Sequence, residues 1–283
     1  MGSADLHLHT SLGDGLIELP ALLAFVEERT DLDVVAVTEH DQLEAALRAR
    51  ELHARGRYRF DLVVGMEVTT LEGHLLALFI EQPVPSLRSL AKTLDLIHRQ
   101  GGLAVVPHPM SPLTRSVGRH GIERVLRRAA DGVWLDGIEL ANPSPAGRAT
   151  AARARALNET AFGLAETGGS DAHFLPHVGC ARTTFPGRTA TDLFAAIQLG
   201  ATGSRMGRAA GLGELGAAAL AQQSWRALWA TPKRVVGEPL RRVAGLGAGT
   251  TGVGTAGIGT AIARWGRAGG ARANRAERSG GRR

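Results

Sequence analysis

The sequence predicts an α/β fold, one sheet wrapped by helices, followed by a basic Gly/Ala-rich extension. Three observations carry this. Short β-type runs alternate with helical periodicity through residue 204. Histidine and carboxylate residues recur where those runs end. Charge and histidine content then change abruptly near residue 205.

The first run, 4–9 within "DLHLHTSLGDG", puts Asp5, His7 and His9 at one parity and Leu6 and Leu8 at the other. In a strand the two histidines therefore share a face, and Asp14 follows in a glycine-flanked turn. A helix is expected over 19–30. "DVVAVTEH" (33–40) is a second strand ending in His40 and Asp41, with a helix over 42–55. "DLVVGMEVTT" (61–70) carries Glu67, and His74 opens "HLLALFI" (74–80). Leu87, Leu90, Leu94 and Ile97 have helical spacing within 86–100, and Gly101 and Gly102 stop that helix. "LAVVPH" (103–108) ends in His108. Helices over 122–130, 146–161 and 189–199 flank "DGIELAN" (136–142) and "FGLAETGGSDAH" (162–173), which ends in Asp171 and His173. Alternation of this kind implies a mostly parallel sheet, either closed into a barrel or doubly wound.

A single pair such as His7 and His9 reads as a polar edge strand. Recurrence at five strand ends points instead to one convergent site, since function on such folds gathers at C-terminal strand ends. Nitrogen and oxygen donors without thiolate suit zinc, manganese or iron. His7, His9, Asp14, His40, Glu67, His74, His108, Asp171 and His173 exceed one coordination sphere, so two or three divalent ions sharing a carboxylate are expected. Such sites polarise a phosphoryl oxygen and ionise a bound water.

The 283 residues suffice for one large core or two modest domains. A single cysteine, Cys180, excludes an internal disulfide framework and a thiolate-rich zinc site. Cys180 itself reads as a packed residue. A reducing, cytoplasmic setting is expected, and no apolar signal core opens the chain. Residues 1–204 hold 19 Lys/Arg against 24 Asp/Glu, whereas 205–283 hold 14 against 3. All ten histidines lie at or before His177. A body (1–204) and an extension (205–283) are therefore expected, and a chain cut after Ser204 keeps every candidate ligand.

In order, "DLHLHTSLGDG", "TEHD", "PHP" and "GSDAH" resemble the four motifs of the PHP (polymerase and histidinol phosphatase) domain family. "GMEVTT" and "GHLLAL" fall between the second and third. The resemblance runs from residue 4 to about residue 204. It implies a distorted seven-stranded, TIM-like β/α barrel and a metal-dependent phosphoesterase acting on phosphorylated small molecules, nucleotides or nucleic-acid ends. It also implies one metal on His7, His9, Glu67 and Asp171, a second on Asp14, His40 and His173, and a third on Glu67, His74 and His108. A hydroxide held between metals would attack phosphorus, with Glu67 and Asp171 as catalytic residues and Asp41 orienting a ligand from behind. Two departures stand out. Gly13 replaces the serine usual before Asp-Gly, and no sizeable insertion covers the site.

The expected activity is hydrolysis of a phosphomonoester, a nucleotide among the candidates. The alternative is a nuclease acting on RNA or DNA ends. A reading from another class, a non-catalytic metal-binding module for regulation or tethering, fits the intact ligand set poorly. Arg115, beyond the "PHP" turn, is the candidate phosphate clamp, ahead of Arg119. Asn142 is either a turn cap or a substrate contact, and His53, His98 and His120 are expected on the surface.

Trp225, Leu228 and Trp229 have helical spacing beside Arg226, Lys233, Arg234, Arg241 and Arg242. That pattern suits a peripheral contact with an anionic membrane, a nucleic-acid contact, or a helix packed on the barrel. Residues 243–263 are uncharged but hold seven glycines and four threonines, a poor membrane span. The Arg/Gly-rich 264–283 has the composition of a disordered tail.

Overall fold

The computed structural model describes residues 1–207 and 215–226. Leu228, Trp229 and the stretches 243–263 and 264–283 lie outside the described residues. The strands are β1 (Gly2–Asp5), β2 (Val34–Val37), β3 (Asp61–Thr69), β4 (His74–Leu78), β5 (Leu103–Val106), β6 (Gly137–Ala141), β7 (Ala165–Gly168), β8 (Ala181–Phe185) and β9 (Gly203–Met206). The helices are α1 (Leu19–Arg29), α2 (Glu44–Arg55), α3 (Leu90–His98), α4 (Arg119–Leu126), α5 (Pro145–Leu157) and α6 (Ala190–Leu199).

One nine-stranded sheet runs in the order β7-β6-β5-β4-β3-β2-β1-β8-β9. Its two ends come together. Thr183 Oγ1 accepts from Gly168 N–H at 2.8 Å, Thr202 donates to Glu166 O at 2.6 Å, and Ser204 to the Glu166 carboxylate at 2.9 Å. The result is a nearly closed, barrel-like sheet.

This corrects two expectations, seven strands and mostly parallel pairing. Four ladders are parallel and four antiparallel among the described residues. The reason is connection length. Residues 70–73 are too few for a crossover, so β3 and β4 form a hairpin, and β4 in turn pairs antiparallel with β5. Beyond "GSDAH" the chain returns along β1 as β8 and β9, also antiparallel.

Alternation along the strands feeds two cores. Val35, Val37, Val64 and Met66 pack beneath α1–α5 with Leu22, Val26, Leu94 and Ile122. Ala4, Val34, Ala36, Val63, Leu76 and Val105 face the other way, where Leu193, Phe194 and Ile197 of α6 close the sheet. Thr189 starts α6 with a capping box: its side chain takes the Asp192 N–H, and Asp192 takes its N–H in return. The expected helix over 86–100 begins late. Ser89 caps α3 by accepting from Lys92 N–H, and Leu87, with φ +55°, lies outside the helix. No helix among the described residues is long and apolar enough to cross a membrane.

Candidate metal centre

β1 stops at Asp5, so His7 and His9 lie just past its end, tied to the chain after β7 by a bridge between Leu8 and Ala172. Their shared face survives in extended backbone, with ring centroids 5.1 Å apart. β2 delivers His40, β3 carries Glu67, β5 delivers His108, and Asp171 and His173 follow β7. His74 opens β4, which is antiparallel, so its first residue reaches the rim where β3 ends, opposite Thr69.

All nine candidate ligands converge. Glu67 is the hub: Oε1 lies 2.8 Å from His74 Nδ1 and 3.1 Å from His108 Nε2. Its Oε2 lies 3.2 Å from both His7 Nε2 and His40 Nδ1, and 3.4 Å from His9 Nε2. Asp171 Oδ1 lies 3.4 Å from His9 Nε2 and 3.6 Å from His7 Nε2. Asp14 faces His9, His40 and His173 at 3.6, 3.9 and 3.3 Å. His7, His9 and Glu67 are fully buried, while His40, Asp171 and His173 are half-buried and form the solvent side.

Side chains behind this cluster fix which ring nitrogens face it. His7 Nδ1 lies 3.1 Å from the Glu139 carboxylate and Nε2 3.2 Å from Glu67, so with an ion bound Glu139 would keep the proton on Nδ1 and free Nε2 to coordinate. Ser116 donates to His108 O at 2.8 Å, which leaves its Oγ to accept from His108 Nδ1–H, also at 2.8 Å. His173 Nδ1 donates to Asp171 O at 2.9 Å. Three Nε2 atoms thus point inward, each able to offer a lone pair to an ion once its proton is released. Glu139 is held in turn by His108 N–H at 2.8 Å and by the Asn142 amide at 2.7 Å. Asn142 also caps Ser144 N–H at 2.9 Å and lies 3.5 Å from Asp171, so it is both a cap and a support.

Two glycines make room for these carboxylates. A Cβ at Gly169 would stand 2.5 Å from Glu139 Oε1, and one at Gly13 would stand 1.6 Å from Glu39 Oε2. Glu39 accepts from the backbone and hydroxyl of Thr10 and so seats the turn carrying Asp14. Gly13 therefore answers to Glu39: a side chain there would collide with it. Beneath the cluster, Asp5 accepts from Ser170 N–H at 2.8 Å, Ser170 Oγ at 2.6 Å and Gly179 N–H at 2.8 Å, while burial raises its pKa to about 6.

Burial opposes charge throughout, and at Glu67, Asp171, His7 and His9 the neighbouring opposite charges override it. Burial raises the Glu67 pKa, yet His40, His74 and His7 together hold it well below the carboxylate range. Asp171 is lowered in the same way by His7, His9 and His173. Against its own burial, His7 is raised by Asp171, Glu139 and Glu67, and His9 by Asp171, Glu39 and Glu67. His40 drops to about 4, from burial first, with His9 and His74 adding to it. Glu67 and Asp171 are thus ionised at neutral pH, as metal ligands must be.

The donors fit divalent ions. Buried His9 Nδ1 and Nε2, Asp14 Oδ1, His40 Nδ1 and His74 Nδ1 make no hydrogen bond; His74 Nδ1 is near Glu67 but misaligned for one. Such orphans are costly unless something else satisfies them. Overlapping groups of three donors with atoms within 4.8 Å of one another run through the cluster, among them His7–His9–Glu67, His9–Asp14–His40 and His40–Glu67–His74. Backbone strain collects here too, with φ +53° at Asp41, +28° at His108 and +51° at Asp171.

Other expected site residues fall differently. Asp41 accepts from Thr69 N–H at 2.7 Å, Thr69 Oγ1 at 2.6 Å and Ser86 Oγ at 2.7 Å. Through these bonds it braces the end of β3, and it reaches Glu67 by way of the strand rather than through a ligand side chain. Exposed Arg115 bonds Thr70 O at 3.3 Å, and its own carbonyl holds His74 N–H at 2.9 Å. Arg119 is paired with Glu123 at 2.6 Å. His98 is not a surface residue: it stacks on Trp134 at 4.0 Å and meets Asp136 at 2.8 Å. Cys180 is buried, and burial, with Asp5 nearby, pushes its thiol up to about 12, so it is inert packing.

Residues 153–202 match the family model described as PHP-associated. A Methanocaldococcus jannaschii protein, itself uncharacterized, is 31% identical over 149 residues, 49% of this chain and 81% of that protein. The chain belongs to the PHP domain family. A Salmonella typhimurium 5'-3' exoribonuclease is 28% identical to this PHP chain over 142 residues, 49% of the chain but only 43% of the exoribonuclease. A two-domain Bacteroides vulgatus protein containing a predicted PHP-like metal-dependent phosphoesterase shares its fold. That likeness has a TM-score of 0.56 at 19% identity, and covers 72% of this chain and 64% of the other. The PHP chain thus spans less than half of the exoribonuclease and just under two thirds of the Bacteroides protein.

Proposed function

We propose that the protein is a metal-dependent phosphoesterase that hydrolyses a phosphomonoester, a nucleotide among the candidates. The observation that carries this reading is the inward set of Nε2 atoms on His7, His108 and His173 around the ionised Glu67 and Asp171. Bound divalent ions, with zinc, manganese and iron as candidates, would neutralise phosphoryl oxygens and acidify water there. The chain's own work is positional. Glu67 offers one oxygen to each half of the cluster and is the proposed bridging ligand. Glu139 holds the His7 tautomer, Ser116 that of His108, and Glu39 the turn bearing Asp14. His40, Asp171 and His173 border the open side, where a phosphoryl group would enter.

The test is metal analysis of the purified chain joined to a substrate panel of phosphomonoesters, nucleotides and end-labelled RNA and DNA. Metal-dependent phosphate release supports the proposal. Stoichiometric metal with no turnover on any substrate would favour a regulatory or tethering module instead. Release of nucleotides from ends would select the nuclease reading, which the exoribonuclease likeness favours.

We also propose Arg115 as a substrate contact, because its backbone is fastened to His74 at the rim. Arg115→Ala should lower kcat/KM roughly 10-fold or more with metal content unchanged, and Arg115→Lys should restore it only in part. Steady-state kinetics on the active substrate will check this. For the extension 205–283, with its 14 basic residues, we propose polyanion contact. Binding to single-stranded RNA or anionic vesicles should weaken steeply between 50 and 200 mM salt, as phosphate contacts do. Unchanged binding across that range would count against it.

A further inference from the structure

The described helical residues 217–226 include Arg226, whose side chain lies against the turn that leads into Asp14. Arg226 Nη2 donates to Ser11 O, and to Gly13 O at 3.1 Å. Gln42 Nε2 takes Leu12 O at 3.0 Å, and Gly13 N–H takes Thr10 O at 3.0 Å. Four successive carbonyls of one short turn are therefore bonded, two of them by a residue more than two hundred positions away. On the other side, Glu39 grips Thr10 and leaves no room for a side chain at Gly13. The Asp14 turn is clamped from both faces.

We propose that Arg226 is a positioning residue for the metal centre: from the C-terminal extension it clamps the turn that aims Asp14 at His9, His40 and His173. The chemistry favours this over a substrate contact. Both Nη2 hydrogens are committed to backbone carbonyls, and buried Nε faces no acceptor. The Nη2 half of the fork that would grip a phosphate side-on is thus already engaged, and the Nε half is buried. Losing the guanidinium returns two carbonyls to water at little cost in global stability. It releases the turn that carries Asp14, the donor facing His9, His40 and His173. A chain cut after Ser204 would lose this clamp while keeping every candidate ligand.

The inference rests on the proposed metal centre, so its test measures metal first and turnover second. Full-length wild type, Arg226→Ala and Arg226→Lys are titrated with Zn²⁺ and Mn²⁺ against a chelating dye, without substrate. Arg226→Ala should bind metal about 10- to 100-fold more weakly, the range for residues that orient ligands. Arg226→Lys, which keeps a donor, should fall between. On the active phosphoester, Arg226→Ala should lose kcat at limiting metal with KM unchanged, and excess metal should restore it. Wild-type metal affinity in Arg226→Ala overturns the inference, as does a raised KM with normal affinity, which would make Arg226 a substrate contact. A wild-type chain that binds no metal would refute the metal centre itself. Arg226→Lys keeps the charge and guards against a fold defect in the alanine variant: equal affinity in all three proteins refutes the clamp.

Discussion

Glu67→Gln should cost more activity than any other single change, about 10²–10³-fold or beyond in kcat/KM. Five histidines surround this one carboxylate within 3.4 Å, and none of them can replace its charge. The amide keeps the shape but loses the charge and presents a donor to one half of the cluster in place of an acceptor. His7 and His9 owe part of their raised pKa values to Glu67, so the substitution also alters the protonation that metal must displace. Metal uptake has a definite sign. Histidines held above their ordinary pKa must release protons to bind an ion, so affinity should fall as pH falls and proton release should accompany loading. His74→Ala, which removes one donor and leaves the hub, should lose less metal than Glu67→Gln. Counting bound metal by plasma mass spectrometry separates the two, and unchanged stoichiometry with normal turnover in Glu67→Gln would refute a shared-ligand centre.

Gly13→Ala should be the most damaging small change to the fold. The added carbon would stand 1.6 Å from Glu39 Oε2, inside covalent reach, so the carboxylate must move. Glu39 is fully buried, and moving it breaks its bonds to Thr10. An uncompensated buried carboxylate costs about 3–5 kcal/mol. In a chain of this size that lowers Tm by roughly 10 °C. A double-mutant cycle with Glu39→Ala isolates the cause. In the Glu39→Ala background the Gly13→Ala penalty should nearly vanish, because the obstacle is gone. Equal penalties in both backgrounds would place the damage elsewhere, in the backbone of the turn.

The ligands were legible because each sits in a short local pattern at a strand end, where parity or a flanking proline betrays it. Their supports were not. Glu139 lies in "DGIELAN" among apolar residues and looks like any strand carboxylate, and Ser116 lies in a loop without a signature. One signal was available: a carboxylate at the inward parity of a buried strand needs a partner, and His7 across the sheet supplies it. The antiparallel turn of β4 was also readable, since "TLEG" spans only four residues between two apolar runs and contains glycine. Short β8 and β9 are a different matter. "ARTTF" and "GSRM" have little apolar content, and only the free edge of β1 makes them strands. In sequence Gly13 was only a departure from the usual serine, and it becomes intelligible because Glu39 fills the space beside it.

The donors of this site span residues 7 to 173, and the first strand lies between β2 and β8. This fixes an order of events during synthesis. His7 and His9 leave the ribosome well over a hundred residues before their partners after β7. The edge of β1 also waits for residues 181–185 to pair with it. Contacts so distant in sequence make folding slow. Until then the early histidines are free to seize an ion in a non-native set. A donor set drawn from residues 7 to 173 is therefore complete only once the segment after β7 is in place, so full coordination of an ion would have to come late in folding.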